Sequence, residues 1–168
     1  MIRRRNAVEQ APAPEYDALF PLPCCTLGIR TKGGVVREIK FLPLPAEIAP
    51  PRNEIAEEVC VQLSSYLADP AFRFSLKLDG GGTPFQREVW SQMLQIQPGS
   101  TVTYGEVARR LKSSPRAVGQ ACGANPVPIV VPCHRIIANG GLGGFAHKDK
   151  GFPLNVKHWL LLHEQRQW

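Results

Sequence analysis

The sequence predicts an α+β protein: a small amino-terminal α/β unit over residues 1–78, a linker at 79–83, and a mostly helical carboxy-terminal domain over 84–168 that holds a helix-turn-helix. Three observations support this. Gly33 and Gly34 interrupt two β-rich runs and supply the positive φ that a hairpin turn needs. Gly80, Gly81 and Gly82 stand in a row, which favours a flexible, exposed connection. Beyond them, Thr83 with Gln86 and Thr103 with Glu106 each have the spacing of a helix-starting capping box.

Taken in order, residues 1–23 are rich in proline and charge and predict a loose arm. Cys25 to Arg30 and Val35 to Leu42 read as strands, after which Pro43, Pro45, Pro50 and Pro51 break the chain. From Asn53, apolar Ile55, Val59, Leu63 and Leu67 recur every fourth position, the mark of a helix with one buried stripe. Phe72 to Leu78 reads as a further strand that closes the unit. Thr83 then caps a helix with Pro84 at its first position and Phe85, Val89 and Met93 on one face. Thr103 starts a short helix carrying Val107 and Leu111, and Ser114-Pro115 starts another. Arg109, Arg110, Lys112 and Arg116 cluster at their joint, as in a helix-turn-helix. Val127 to Val131 is apolar and proline-bounded, which suits a buried extended segment. The last helix is expected from about Asn155, with Val156, Trp159, Leu160 and His163 on one face.

Composition narrows the class. The chain has 168 residues, 43% of them hydrophobic, enough to bury a core without covalent staples. Lys and Arg number 20 against 14 Asp and Glu, a net charge of +6 that favours an anionic partner such as nucleic acid. The 5 cysteines are an odd count with Cys24 and Cys25 adjacent, which argues against a secreted disulfide framework. No apolar segment follows Arg3, Arg4 and Arg5, and no apolar run approaches the roughly 18 residues of a membrane span.

The chemistry is concentrated in residues 125–137. Cys133 lies between an apolar segment and a glycine-rich loop, with His134 and Arg135 beside it. A free thiol is mostly protonated at neutral pH, so a base or positive charge must lower its pKa, and both neighbours are candidates. Adjacent side chains diverge, so His134 is expected to reach the thiol through a bridging water. A carboxylate should orient the imidazole; Glu164, Asp149 and Glu106 remain open for that role.

Pro132-Cys133-His134-Arg135, within the run from Asn125-Pro126-Val127-Pro128 to Ile137, resembles the active-site signature of the O6-alkylguanine-DNA alkyltransferases. The resemblance extends from Thr83 to Glu164 through Phe85-Gln86, Thr103-Tyr104-Gly105, Arg116-Ala117-Val118-Gly119 and Trp159-Leu160-Leu161. The amino-terminal half is similar only in size, hairpin and helix order. It implies a ribonuclease-H-like unit of a three-stranded antiparallel sheet plus a helix.

The resemblance implies that Cys133 takes an alkyl group from O6 of guanine, and from O4 of thymine, in double-stranded DNA. Thiolate suits that in-line attack because it is a soft, strong nucleophile. His134 would act as base through water, Glu164 would hold His134, and Asn125 would be a hinge to the helix-turn-helix. Tyr104 would face N3 of the base, whose protonation improves the leaving group. Ile136, Phe145, Ala146 and Arg135 would complete the substrate site, with the Ala146 backbone donating to O6. Arg116 would fill the gap left by an extruded base, since the alkyl group is out of reach inside a duplex. Thr103, Ala117, Gly119, Gln120, Ala121 and Gly123 would lie at the minor groove; for Gly119 and Ala121, helix packing is an equal alternative.

Phe145 departs from the family's tyrosine and loses its hydroxyl, and the loop from Ala146 to Pro153 is a few residues longer than usual. Some members carry zinc in the amino-terminal domain. Here Cys24 and Cys25 lack zinc-knuckle spacing, and His147, His158 and His163 do not pair convincingly with a cysteine, so no metal is expected. Cys60 and Cys122 read as structural. No cofactor is expected either, and the thioether formed at Cys133 would end the protein's working life. A monomer is expected, cytoplasmic, or nuclear in a eukaryote, with no membrane association. Two other readings compete: an alkyltransferase-like protein that binds damaged bases without transfer, and a helix-turn-helix transcription regulator. The presence of Cys133 speaks against the former. A thiol hydrolase would place its base poorly if that base directly followed the nucleophile.

Overall fold

The computed structural model describes residues 15–45, 47–146 and 151–165. Of the arm expected over residues 1–23, residues 1–14 lie outside them, and its last part is a strand. β1 (Ala18–Leu22) pairs antiparallel with β2 (Cys25–Lys32), Leu22 opposite Cys25 across a two-residue turn. Pro21 obscured it in the sequence, yet proline is tolerated because β1 is an edge strand. β3 (Val35–Leu42) follows the turn at Gly33 (φ 58°) and Gly34 (φ 80°) and completes an antiparallel sheet in the order β1-β2-β3.

α1 (Glu54–Ala68) starts where the Asn53 side chain accepts a hydrogen bond from the Ala56 amide at 2.9 Å, and it buries Ala56, Val59, Leu63 and Tyr66. The expected strand at Phe72–Leu78 does not form. Its partners are scattered: the Ser75 amide donates to the Gln62 side chain at 2.9 Å, and only Leu78 bridges to Val36. The third strand of the sheet is thus β1.

Both capping boxes are present. α2 (Pro84–Leu94) is capped by Thr83 and Gln86 and buries Val89 and Met93. α3 (Tyr104–Arg110) is capped by Thr103 and Glu106, and α4 (Pro115–Gly123) by Ser114. Lys112, at φ 51°, turns the chain between α3 and α4. β4 (Val102–Thr103) pairs in parallel with β5 (Ile136–Ile137). α5 (Phe152–Gln165) begins three residues before the expected Asn155. Val127–Val131 is buried but not extended: the Val131 amide donates to the Val127 carbonyl at 3.0 Å and Ile129 takes φ 74°. It is a tight turn that aims the chain at Cys133.

The buried side chains form one cluster running through both halves. The Ile39 amide of β3 donates to the Pro126 carbonyl at 2.9 Å, which fixes the sheet beside the chain that leads to Cys133. No described helix is long and apolar enough to cross a membrane.

Candidate active site

Asn125 holds the turn before Cys133 from both ends. Its side-chain amide donates to the Val131 carbonyl at 2.7 Å and its carbonyl oxygen accepts from the Val127 amide at 3.0 Å. Cys133, His134 and Arg135 then form a single 3-10 turn with all three side chains buried. The turn sends them in different directions, as adjacent residues require.

His134 points inward. Its Nε2 lies 2.7 Å from Glu164 Oε1, and its Nδ1 is buried without a hydrogen-bond partner among the described residues. Burial lowers the imidazole's pKa against the opposing pull of Glu164, so the ring is neutral, with Nε2 donating to the carboxylate and Nδ1 left as a base. Arg135 braces the same carboxylate, its Nη2 2.9 Å from Oε1 and its Nε 3.0 Å from Oε2. The Gly99 amide donates to Oε2 at 3.2 Å and the Tyr66 hydroxyl to Oε1 at 2.9 Å. Burial alone would raise the carboxyl's pKa, but His134 and then Arg135 hold it far below the usual range.

Cys133 faces a cavity of about 980 Å³ whose wall includes Tyr104, Arg116, Gly119, Cys122 and Phe145. That is at the upper end of the roughly 300–1,000 Å³ of small-ligand sites. Burial pushes the thiol up to about 11, opposed by the Asn125 side chain and the charge of Lys157. The expected lowering by Arg135 is absent, because its guanidinium is committed to Glu164 and to the Ile96 carbonyl at 2.7 Å. At rest Cys133 is a thiol, and acting as a nucleophile would require it to lose its proton.

Lys157, on α5, is a buried lysine that the sequence reading passed over. Its Nζ donates to the Ile136 carbonyl at 2.7 Å and the Gly144 carbonyl at 2.9 Å, and sits 5.6 Å from the centre of the Tyr104 ring. Burial brings its pKa down to about 8. A signal was available: Lys157 precedes Glu164 by two helical turns, so both share the buried face.

Tyr104 donates to the Gly144 carbonyl at 3.1 Å. Gly143, at φ 72°, allows this approach, since a Cβ there would meet the Tyr104 ring at 2.8 Å. Phe145 packs on Phe41 of β3, ring centres 5.4 Å apart, and Ala146 takes φ 48° at the cavity edge. Arg116 and Gln120 are exposed on α4, with Ala117, Gly119 and Gly123 half-buried.

Four assignments change. Arg135 is turned away from the cavity. Ile136 is fully buried and offers only its carbonyl, to Lys157. Ala121 is buried, and its carbonyl accepts from Trp90 Nε1 at 2.8 Å, so it packs α4 on α2 and does not face outward. The Thr103 hydroxyl is occupied with Glu106 at 2.8 Å. Glu106 is thereby excluded as the partner of His134; Asp149 and His147 lie outside the described residues. Cys122 lies on the cavity wall and is more than a core filler. Among the described residues no group of three or more His, Cys, Asp or Glu could hold a metal.

A family profile described as "6-O-methylguanine DNA methyltransferase, DNA binding domain" matches residues 84–166. A methylated-DNA–protein-cysteine methyltransferase of Methanosarcina acetivorans is 35% identical over 154 residues, 87% of this chain and 96% of that one. Its Methanosarcina mazei counterpart is 43% identical over 116 residues, 67% and 70%. Among solved structures, the O6-methylguanine methyltransferase of Mycobacterium tuberculosis superposes with a TM-score of 0.74 at 32% identity, covering 89% of this chain and 92% of that one. A structure of the same organism's protein in complex with DNA gives a TM-score of 0.73 at 33% identity, covering 88% and 91%.

Proposed function

The chain belongs to the O6-methylguanine DNA methyltransferase family, and from that premise we propose that it repairs DNA by moving an alkyl group from O6 of guanine to Cys133. One observation carries this reading: a cysteine on the wall of a base-sized cavity, followed by a histidine whose outer nitrogen is tied to a buried carboxylate and whose inner nitrogen is free to take a proton.

α4 enters the minor groove with Gly119 at the backbone and Gln120, Ala117 and Gly123 along the groove wall. The damaged nucleotide swings out of the stack into the cavity, and Arg116 takes its place. His134 Nδ1 receives the Cys133 proton through a water as sulfur attacks the alkyl carbon. The carbon–O6 bond breaks, its electron pair passes into the guanine ring, and a proton from the Tyr104 hydroxyl at N3 completes the leaving group. Tyr104 regains a proton from Lys157. Ala146 donates its amide to O6, and Phe145 stacks on the base. The uncharged thioether left on sulfur does not hydrolyse, so each molecule acts once. O4-methylthymine is a second substrate.

Residues 84–168 hold the DNA surface and the nucleophile, residues 1–78 brace them, and 79–83 join the two. The protein works as a monomer in the cytoplasm, or in the nucleus of a eukaryote. Incubation with methylated duplex should add one methyl mass to the peptide containing Cys133, and Cys133→Ala should bind the duplex without gaining it. An unmodified peptide from folded, DNA-binding protein would favour a damaged-base binder, and sequence-specific binding to unmodified DNA a regulator.

A further inference from the structure

Tyr66 lies on α1, 1% exposed, and its hydroxyl crosses 98 positions of sequence to reach Glu164 Oε1 at 2.9 Å. A buried phenol needs an acceptor, and a backbone carbonyl would satisfy it. It meets instead the oxygen that also receives His134 Nε2 at 2.7 Å and Arg135 Nη2 at 2.9 Å. The ring is held from several sides: edge-on to His163 at 5.2 Å, tilted on Phe74 at 5.6 Å, and through its own carbonyl, 3.0 Å from His163 Nε2. His163 is in turn stacked on Trp159 at 5.0 Å. The hydroxyl is therefore fixed in place before any substrate binds.

We propose that the Tyr66 hydroxyl is a positioning group for alkyl transfer: it fixes Glu164 Oε1 and sets how much negative charge that oxygen presents to His134. The inference rests on the reading of Cys133 as alkyl acceptor. A carboxylate oxygen shared among three donors has less charge for each, so weakening one donor strengthens its hold on the others. The other charged groups acting on this pair are Arg135 from the same turn and Lys157 from α5, with the Gly99 amide on Oε2, and the titratable ring that faces Tyr66 itself is His163 of α5. Burial and then the Glu164 charge push the phenol's pKa up, so it remains a donor.

The test is the pH dependence of single-turnover methyl transfer at saturating duplex, comparing the wild type with Tyr66→Phe and with 3-fluorotyrosine at position 66. Removing the donor concentrates charge on Oε1, so His134 protonates more readily and the acidic limb moves to higher pH, by about half a unit. The fluorinated ring is a stronger donor and moves the limb to lower pH. Duplex affinity stays unchanged in both, since Tyr66 is buried on α1 and does not line the cavity beside α4. A packing role would change thermal stability without opposite shifts of the limb. A limb that stays put in both variants, or moves the same way in both, while transfer to Cys133 proceeds, overturns the role of Tyr66 alone. Wild-type protein that leaves Cys133 unalkylated overturns the underlying reading as well.

Discussion

Two buried polar regions meet at the turn of Cys133, and they are built to opposite rules. Behind the turn, Glu164 is enclosed by donors from His134, Arg135, Tyr66 and Gly99, every one within 3.2 Å. In front of it, Cys133 and Lys157 line or border a cavity in which burial disfavours their charged forms, pushing the thiol up to about 11 and bringing the amine down to about 8. The rear region compensates its charge from within, whereas in front the Lys157 ammonium meets only neutral acceptors among the described residues, the Ile136 and Gly144 carbonyls and the Tyr104 hydroxyl. A satisfied network holds geometry, whereas under-compensated groups gain when charge develops beside them, which is where transition-state stabilisation arises.

Breaking the rear should cost most. Glu164→Ala leaves Arg135 buried without its partner and should lower stability by about 3–5 kcal/mol, read by urea unfolding. The pH dependence of that stability has a definite sign. Because the folded carboxyl titrates below its ordinary value, its contribution is present above about pH 4.3 and is lost as pH falls toward the folded value. Glu164→Gln should flatten that acidic decline in thermal melts.

Breaking the front should leave the fold intact and slow the chemistry. Lys157→Met removes a positive charge near the thiol, and should reduce methyl transfer about tenfold at neutral pH with a smaller loss of stability than Glu164→Ala, since only the Ile136 and Gly144 carbonyls lose a donor. Equal losses of stability from Glu164→Ala and Lys157→Met would erase the distinction. Arg116→Ala should slow transfer from duplex by about tenfold and spare single-stranded substrate, because only the duplex must be unstacked. The smallest effect belongs to Phe145→Tyr, where a hydroxyl at the cavity edge should change the rate by no more than about threefold.

The sequence was most legible where local chemistry decides structure. Thr83 with Gln86 and Thr103 with Glu106 place two helices by capping alone, and both boxes are formed. It was least legible where tertiary context decides. Pro21 conceals a strand that exists because it lies at a sheet edge, and Phe72–Leu78 has strand composition but lacks a continuous neighbour. At the site, the residue types 125–137 announced a nucleophile, yet side-chain direction did not follow from order. Arg135 turns to the rear while Lys157, 22 positions on, serves the front. The thiol's protonation likewise depends on burial, which adjacency in sequence does not encode.

The two-residue parallel ladder joining Val102–Thr103 to Ile136–Ile137 has a consequence for how this protein can diverge. It splices the chain just before Tyr104 to the chain just after the 3-10 turn, so main-chain pairing sets the span between phenol and sulfur. β-branched residues should therefore interchange at Val102, Ile136 and Ile137 with little loss of repair, while Thr103 must keep the hydroxyl that caps α3. In the loop that follows, Gly143, Gly144 and Phe145 are held by Tyr104, Lys157 and Phe41, so the exposed turn at 139–141 is where a lineage can vary adduct choice.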